Sequence, residues 1–290
     1  MKLLLKFNLV FLVVFAVGLG VAGYVARTLL QQGAHQEVLD RARILMDNAL
    51  AVSMYTATQV APLLETQMKY TFLPQSVPAY SATEVLNKLK EKHPEYAYKP
   101  AMLNPTNPRD RAQDWEEDII SQFKQLPDQT EFIGQRNTPA GPSMYIARPI
   151  RITNPTCLRC HSTVEAAPRS LVEKYGPANG FGWTLNETLG AQLVSVPMSV
   201  PLQRADRAFG VVMGLLAGVF LLIGLSLNLM LWKLVIQPVS RLSALSDRVS
   251  LGELDAPEFA TRSKDEIGVL AESFARMRKS LVHAMKMLDA

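Results

Sequence analysis

Hydrophobic positions along this chain fall into three patterns, and each predicts a different kind of element. Two runs carry no charged side chain: residues 7–26, 20 residues long, and residues 208–232, 25 residues long. At about 1.5 Å of rise per residue, either run can cross a hydrocarbon core about 30 Å thick. The second pattern is a pair of stripes at helical spacing. Val38, Ala42, Leu45, Ala49 and Val52 recur at alternating steps of four and three, and Met46, Leu50, Met54, Ala57, Ala61 and Leu64 run beside them. They predict a long helix over about 27–68, apolar on two faces, which touches its own domain and a dimer partner. Pro62 is expected to kink it. The third pattern lies at the other end of the chain. Ile267, Leu270, Phe274, Met277, Leu281, Ala284 and Leu288 alternate steps of three and four, the seam of a parallel coiled coil.

Between the apolar runs the periodicity is shorter and more broken. Pro74 and Pro78 mark a loop over 72–80. Residues 81–92 read as an amphipathic helix, 103–110 as rigid turn material, and 111–123 as a second helix. Strands are expected at about 131–134, 144–152 and 189–197. Short strands among helices predict an α+β domain with an antiparallel sheet. Beyond the second run, Val239, Leu242, Leu245 and Val249 keep helical spacing, and 252–263 reads as a polar connector broken by Gly252 and Pro257.

Charge orients these pieces. Lys2 and Lys6 precede the first run, and Lys233, Arg241 and Arg248 follow the second, which favours the cytoplasmic side for both flanks. Arg204 and Arg207 on the opposite flank weaken the bias without reversing it. The expected organisation is a cytoplasmic N-terminus (1–6), a transmembrane helix (7–26), a periplasmic domain (27–207), a second transmembrane helix (208–232) and a cytoplasmic module (233–290), all in a bacterial inner membrane. The first run exceeds the usual apolar core of a signal peptide, so a retained anchor is expected, although Gly20-Val21-Ala22 offers small residues for cleavage. The net charge is +4 with dispersed basic residues, which makes no case for nucleic acid.

The chemistry is concentrated at one place. The chain has two cysteines, in Cys157-Leu158-Arg159-Cys160-His161. Two thiols separated by two residues can add across the vinyl groups of haem, with the next histidine held on the iron, so the motif reads as c-type haem attachment. That attachment takes place on the exported side, where the charge pattern independently puts this segment. A zinc site would need two further ligands at matching spacing. A redox dithiol would sit between a strand and a helix, and a disulfide over two intervening residues is a poor staple.

His161 is therefore the expected axial ligand and Cys157 and Cys160 the attachment points of one haem c. For the sixth position Met54 is the candidate, its alternative reading being core filler; an open or water-filled position is the other possibility. His35 and His93 read as surface residues and His283 as cytoplasmic. Arg148 and Arg151, on the strand ahead of the motif, are candidate partners for haem propionates, or else members of a solvated strand face.

Several motifs in order resemble a known family. Phe72-Leu73-Pro74, Val77-Pro78-Ala79, Leu103-Asn104-Pro105-Thr106-Asn107-Pro108 running into Ala112 and Trp115-Glu116, Ala147-Arg148-Pro149-Ile150, the Cys157–His161 motif, Tyr175-Gly176 and Gly180-Phe181-Gly182-Trp183 together resemble the periplasmic, PAS-like c-haem sensor domain of bacterial membrane signalling proteins. The resemblance covers about residues 40–201. It implies a PAS-like fold with one covalent haem on Cys157 and Cys160 and His161 on the iron. Some relatives place a cysteine opposite that histidine; this chain has no third cysteine. Residues 233–285 resemble a HAMP linker, through Pro238, Asp265-Glu266-Ile267-Gly268 and the two flanking amphipathic helices. That resemblance implies a parallel helical bundle in a dimer.

The functional expectation is a haem-based redox or gas sensor, relaying a signal through HAMP to a separate cytoplasmic signalling protein such as a kinase or cyclase. No kinase, cyclase or other catalytic module is recognisable in the chain, so it is not expected to be an enzyme. A membrane-anchored c-type cytochrome in electron transfer is the alternative. Membrane lipid and a second copy of the chain are the other expected partners.

Overall fold

The structure, a computed structural model, describes residues 3–139, 141–253, 255, 257 and 265–288. Its contacts divide the chain into two units, one of Arg27–Ala208 and one of Met1–Ala26 with Phe209–Ala290.

The long helix α1 runs from Leu3 to Tyr55. Pro62 has no N–H to offer the carbonyl of Thr58, and the helix meets this ahead of time by widening into a π-helical turn, Thr56–Val60. The hydroxyls of Thr56 and Thr58 donate to the carbonyls of Val52 and Met54 at 2.9 and 2.8 Å. Helix α2 (Ala61–Met68) then resumes. After a 3-10 turn at Pro74–Ser76 comes α3 (Pro78–Lys92), which opens on its proline.

The Arg27–Ala208 unit is built on a four-stranded antiparallel sheet of β1 (Ala97–Met102), β2 (Phe132–Thr138), β3 (Gly141–Arg151) and β4 (Thr188–Pro197), in the spatial order β1-β4-β3-β2. The strand absent from the sequence reading is β1. It holds Pro100, which argues against a central strand but is tolerated here because β1 is an edge. The helix expected over 111–123 is α4 (Asp114–Gln125), started later because the Glu116 carboxylate reaches back to the Gln113 backbone N–H at 2.8 Å.

Alternation along β3 and β4 gives the sheet two apolar faces. On one face Met144, Ile146, Val194 and Val196 pack with Val38, Ala42 and Met46 of α1. On the other, Ala147, Ala191 and Leu193 pack with Ile119, Ile120 and Phe123 of α4. Ala49 of α1 also meets Ala82 and Leu86 of α3. The first stripe on α1 is thus closed by the sheet. From Leu50 to Ala57 the second stripe stays exposed, with Met46 its buried member.

Two short helices lie between β3 and β4, α5 (Leu158–His161) and α6 (Arg169–Tyr175).

In the other unit, α1 and α7 (Ser199–Leu231) are long and apolar enough to cross a membrane. A second π-helical turn, Trp232–Ile236, precedes Pro238. It leads into α8 (Gln237–Ser250), and α9 (Glu266–Leu288) follows. The Asp265 carboxylate accepts from the N–H groups of Ile267 and Gly268, both at 3.1 Å, and caps α9. Most of the connector expected over 252–263 lies outside the described residues, as does the side chain of Leu288.

Candidate functional site

Strand β3 runs out at Arg151, and Asn154 starts the turn that bears both thiols. Its side-chain oxygen accepts from the Thr156 N–H at 3.0 Å and the Thr156 hydroxyl at 2.6 Å, while its carbonyl accepts from Cys157 N–H at 3.1 Å. A 3-10 turn, Pro155–Cys157, continues directly into α5. On such a helical turn, residues three and four apart share a face, so Cys157, Cys160 and His161 are brought to one side. Both cysteines are free and half-buried. Burial pushes both thiols above the ordinary cysteine value. A backbone hydrogen bond opposes the rise at Cys157, and the charge of Arg159 opposes it at Cys160.

His161 is held on two sides. Its Nδ1 lies 2.7 Å from the Gly180 carbonyl, a group that can only accept, so Nδ1 carries the proton and Nε2 keeps a lone pair. Burial holds its pKa below the ordinary histidine value, against the opposing effect of that bond. The Trp183 ring stacks on the imidazole with centroids 3.8 Å apart and planes 12° apart. Trp183 N–H donates to the His161 carbonyl at 3.1 Å, and Gly182 N–H to that of Ser162 at 2.9 Å, which zips 180–183 onto α5.

Gly180 is required where it is. Its φ of +84° is left-handed, and a Cβ would stand 2.8 Å from Thr106 Cα. Asn104 accepts from Gly180 N–H at 3.3 Å. Two stretches far apart in the chain, 104–106 and 180–183, thus converge on His161. On the same turn Arg159 lies 3.7 Å from Glu65 of α2. Ser170, at the start of α6, donates to the Met68 carbonyl at 3.4 Å, and Phe72 packs edge-on against Tyr175 with ring centroids 5.7 Å apart.

The other candidates have partners or surroundings of their own. Arg148 bonds to Asp47 at 2.6 Å and to Glu131 at 3.1 Å, and Glu131 also receives Arg43 at 2.9 Å, so its guanidinium fastens β3 to α1. Arg151 donates through Nε to Thr188 Oγ1 at 3.2 Å, and its Nη2 is buried with no partner. Met54 is 60% exposed on α1. His35 Nδ1 is bonded to the Gln31 carbonyl on its own helix at 2.8 Å, and His93 stands exposed beside Glu95. Among the described residues no three His, Cys, Asp or Glu side chains group as a metal site.

Charge and spacing did not single out Trp183 or the Gly180 carbonyl. Both stand in a motif that the resemblance had flagged, and only the fold shows what they hold. The indole Nε1 of Trp183 is buried without an acceptor, a donor left over beside the imidazole.

The Tll0287-like family model matches residues 31–197, more than half of the chain. The chain belongs to the Tll0287-like family. A HAMP domain follows, matched over residues 230–283. A solved relative is described as the crystal structure of the cyanobacterial heme-protein Tll0287; it is 16% identical, with a TM-score of 0.44 over 56% of this chain and 95% of that one. No curated protein matches the chain. A Tll0287-like domain, a HAMP domain and two apolar helices are the parts of a membrane-anchored signal transducer. Neither domain is a catalytic one.

Proposed function

We propose that this chain is a two-pass inner-membrane sensor in which one c-type haem reports redox state or a gaseous ligand. Cys157 and Cys160 hold the porphyrin through thioethers, and His161 Nε2 is the proximal ligand. When bound, the group would supply a one-electron couple and an iron at which a gaseous ligand could exchange. The observation that supports this most is the 2.7 Å bond from His161 Nδ1–H to the Gly180 carbonyl. Metal-bound histidines are characteristically fixed in this way, with one nitrogen donating to a carbonyl and the other left for the metal. Trp183 then limits rotation of the imidazole and keeps water from one of its faces. Membership of the Tll0287-like family supports the reading further.

In this reading residues 7–26 and 208–232 span the membrane. Residues 27–207 form a PAS-like domain in the periplasm, and 233–290 form a cytoplasmic HAMP bundle. A change of charge or ligation at His161 shifts the packing of 104–106 and 180–183, and a bistable helical element relays the shift. Two copies pair to complete the bundle, which addresses a cytoplasmic signalling protein of the kinase or cyclase kind.

The test is production of the full chain in a host competent for cytochrome c maturation. The peptide containing Cys157 and Cys160 should gain the mass of one porphyrin, with a Soret band from the intact protein. Replacing both cysteines with alanine should abolish both signals. His161→Ala should keep the mass and shift the band. A wild-type chain without porphyrin mass would overturn the proposal. Met54→Ala decides the sixth ligand, since unchanged ferric and ferrous spectra exclude Met54.

A further inference from the structure

The two apolar helices are not simply side by side. Phe15 and Phe220 meet edge-to-face with centroids 3.8 Å apart. A Cβ on Gly224 would stand 2.9 Å from the Phe11 ring, and one on Gly23 would stand 3.3 Å from Met213. The paired numbers fall as the others rise, so α1 and α7 run antiparallel in a single register from Gly23 to Phe11. One step further along that register stand the amides of Asn8 and Asn228. Asn8 Nδ2 donates to Asn228 Oδ1 at 2.9 Å, and Asn228 Nδ2 donates to Asn8 Oδ1 at 2.7 Å and to the Gly224 carbonyl at 2.9 Å.

Apolar contacts between helices in lipid fix register weakly, because lipid chains are as apolar as the partner helix. A reciprocal amide pair is different. Sliding by one helical turn, about 5.4 Å, removes both interhelical bonds of the amide pair. Gly224 lets Phe11 come close, and its carbonyl occupies the remaining N–H of Asn228. Four residues after Asn228 the helix enters the π-helical turn that precedes Pro238 and α8. Asn8, for its part, lies on the same continuous helix that supplies Val38, Ala42 and Met46 to the sheet.

We infer that Asn8 and Asn228 form an intramembrane brace that locks the axial register of the two spans, so that they move together where the second leaves for the HAMP domain. The inference rests on the reading that both helices cross a membrane.

The test is disulfide trapping in membranes, with the haem-loaded full chain. Phe11→Cys with Gly224→Cys reports the register described, and Phe11→Cys with Phe220→Cys reports a one-turn slip. The first pair should trap faster. Asn8→Leu or Asn228→Leu should reduce that preference by between about threefold and about twentyfold, the range of interhelical hydrogen bonds in membranes. The double Leu variant should lose no more than either single one, because either change breaks the shared pair. Where a Leu variant does not accumulate, Asn8→Ser and Asn228→Ser decide the same ratio. An unchanged preference in inserted protein overturns the brace. A Lys2→Cys chain labelled from outside by an impermeant thiol reagent would overturn the topology instead, which separates the two failures.

Discussion

The stripe on α1 and the seam on α9 follow the same arithmetic of threes and fours, yet the chain closes only one of them. Val38, Ala42, Met46 and Ala49 are buried against the sheet and α3. Along α9, Leu270 and Leu281 are 47% and 45% exposed, with Val269 and Met277 more so. Periodicity reports that a face is apolar, and it does not report what covers that face. In the Arg27–Ala208 unit the cover is the chain's own sheet. In the other unit the described residues leave both the apolar helices and the α9 seam largely exposed; in the proposed reading lipid covers the first and a second copy covers the second.

The largest expected effect tests the self-contained half. Phe123 is 1% exposed and anchors α4 on the sheet. Phe123→Ala should lower the stability of this unit by about 3–5 kcal/mol, read as a fall in the urea midpoint followed by near-ultraviolet circular dichroism. A loss below about 1 kcal/mol would mean that α4 is not part of one cooperative core.

The legibility of the sequence follows the same division. Apolar runs and stripes are local patterns, and they located the two long apolar helices and the buried face of α1, while the cysteine motif is legible as a local pattern whose chemistry stays a proposal. The edge strand β1 was hidden because Pro100 breaks the local signal that a strand normally gives. The surroundings of His161 were hidden for another reason. Thr106, Gly180 and Trp183 reach it from separate loops, and no spacing rule connects residues 55 and 19 positions away. Arg148 is a different case. Its place ahead of the motif suggested a propionate, and the fold shows it paired with Asp47 and Glu131, residues of elements the sequence predicts but which no local pattern pairs with β3.

The second effect is intermediate and depends on pH. Burial raises Asp110 to about 6, despite Arg109 and Lys99 pulling the other way, and Glu84 adds to the rise. The unfolded chain titrates near 3.8, so between about pH 4 and 6 the folded unit retains a proton that the unfolded chain releases. That contribution is complete below about pH 4 and is lost as pH climbs through 6. Two pKa steps are at most about 3 kcal/mol, and residual solvent contact at Asp110 brings this nearer to about 1–2 kcal/mol. Between about pH 4 and 6 wild type should therefore lose stability relative to the non-titrating Asp110→Asn variant, read as a fall of its urea midpoint relative to the variant's from pH 4 to pH 7. A flat difference would place Asp110 in contact with solvent. The contrast sharpens as well, because neither Phe123 nor Leu281 can contribute such a pH term.

The smallest effect on the single chain is the most telling about the open half. Leu281 buries little against its own copy, so Leu281→Ala should change the stability of the Arg27–Ala208 unit by less than about 0.5 kcal/mol, as surface substitutions do. In a paired seam the same side chain becomes a buried knob, where truncation costs about 2–5 kcal/mol. The dimer, followed by cross-linking through Met277→Cys in membranes, should then weaken by at least about tenfold while the urea midpoint stays put. Both readouts moving together would mean that the seam packs on its own chain and that α9 resembles α1 after all. If neither moved, a second copy would have to be sought on another surface, and the uncovered Leu50 and Met54 of α1 are the next apolar positions that a copy could cover.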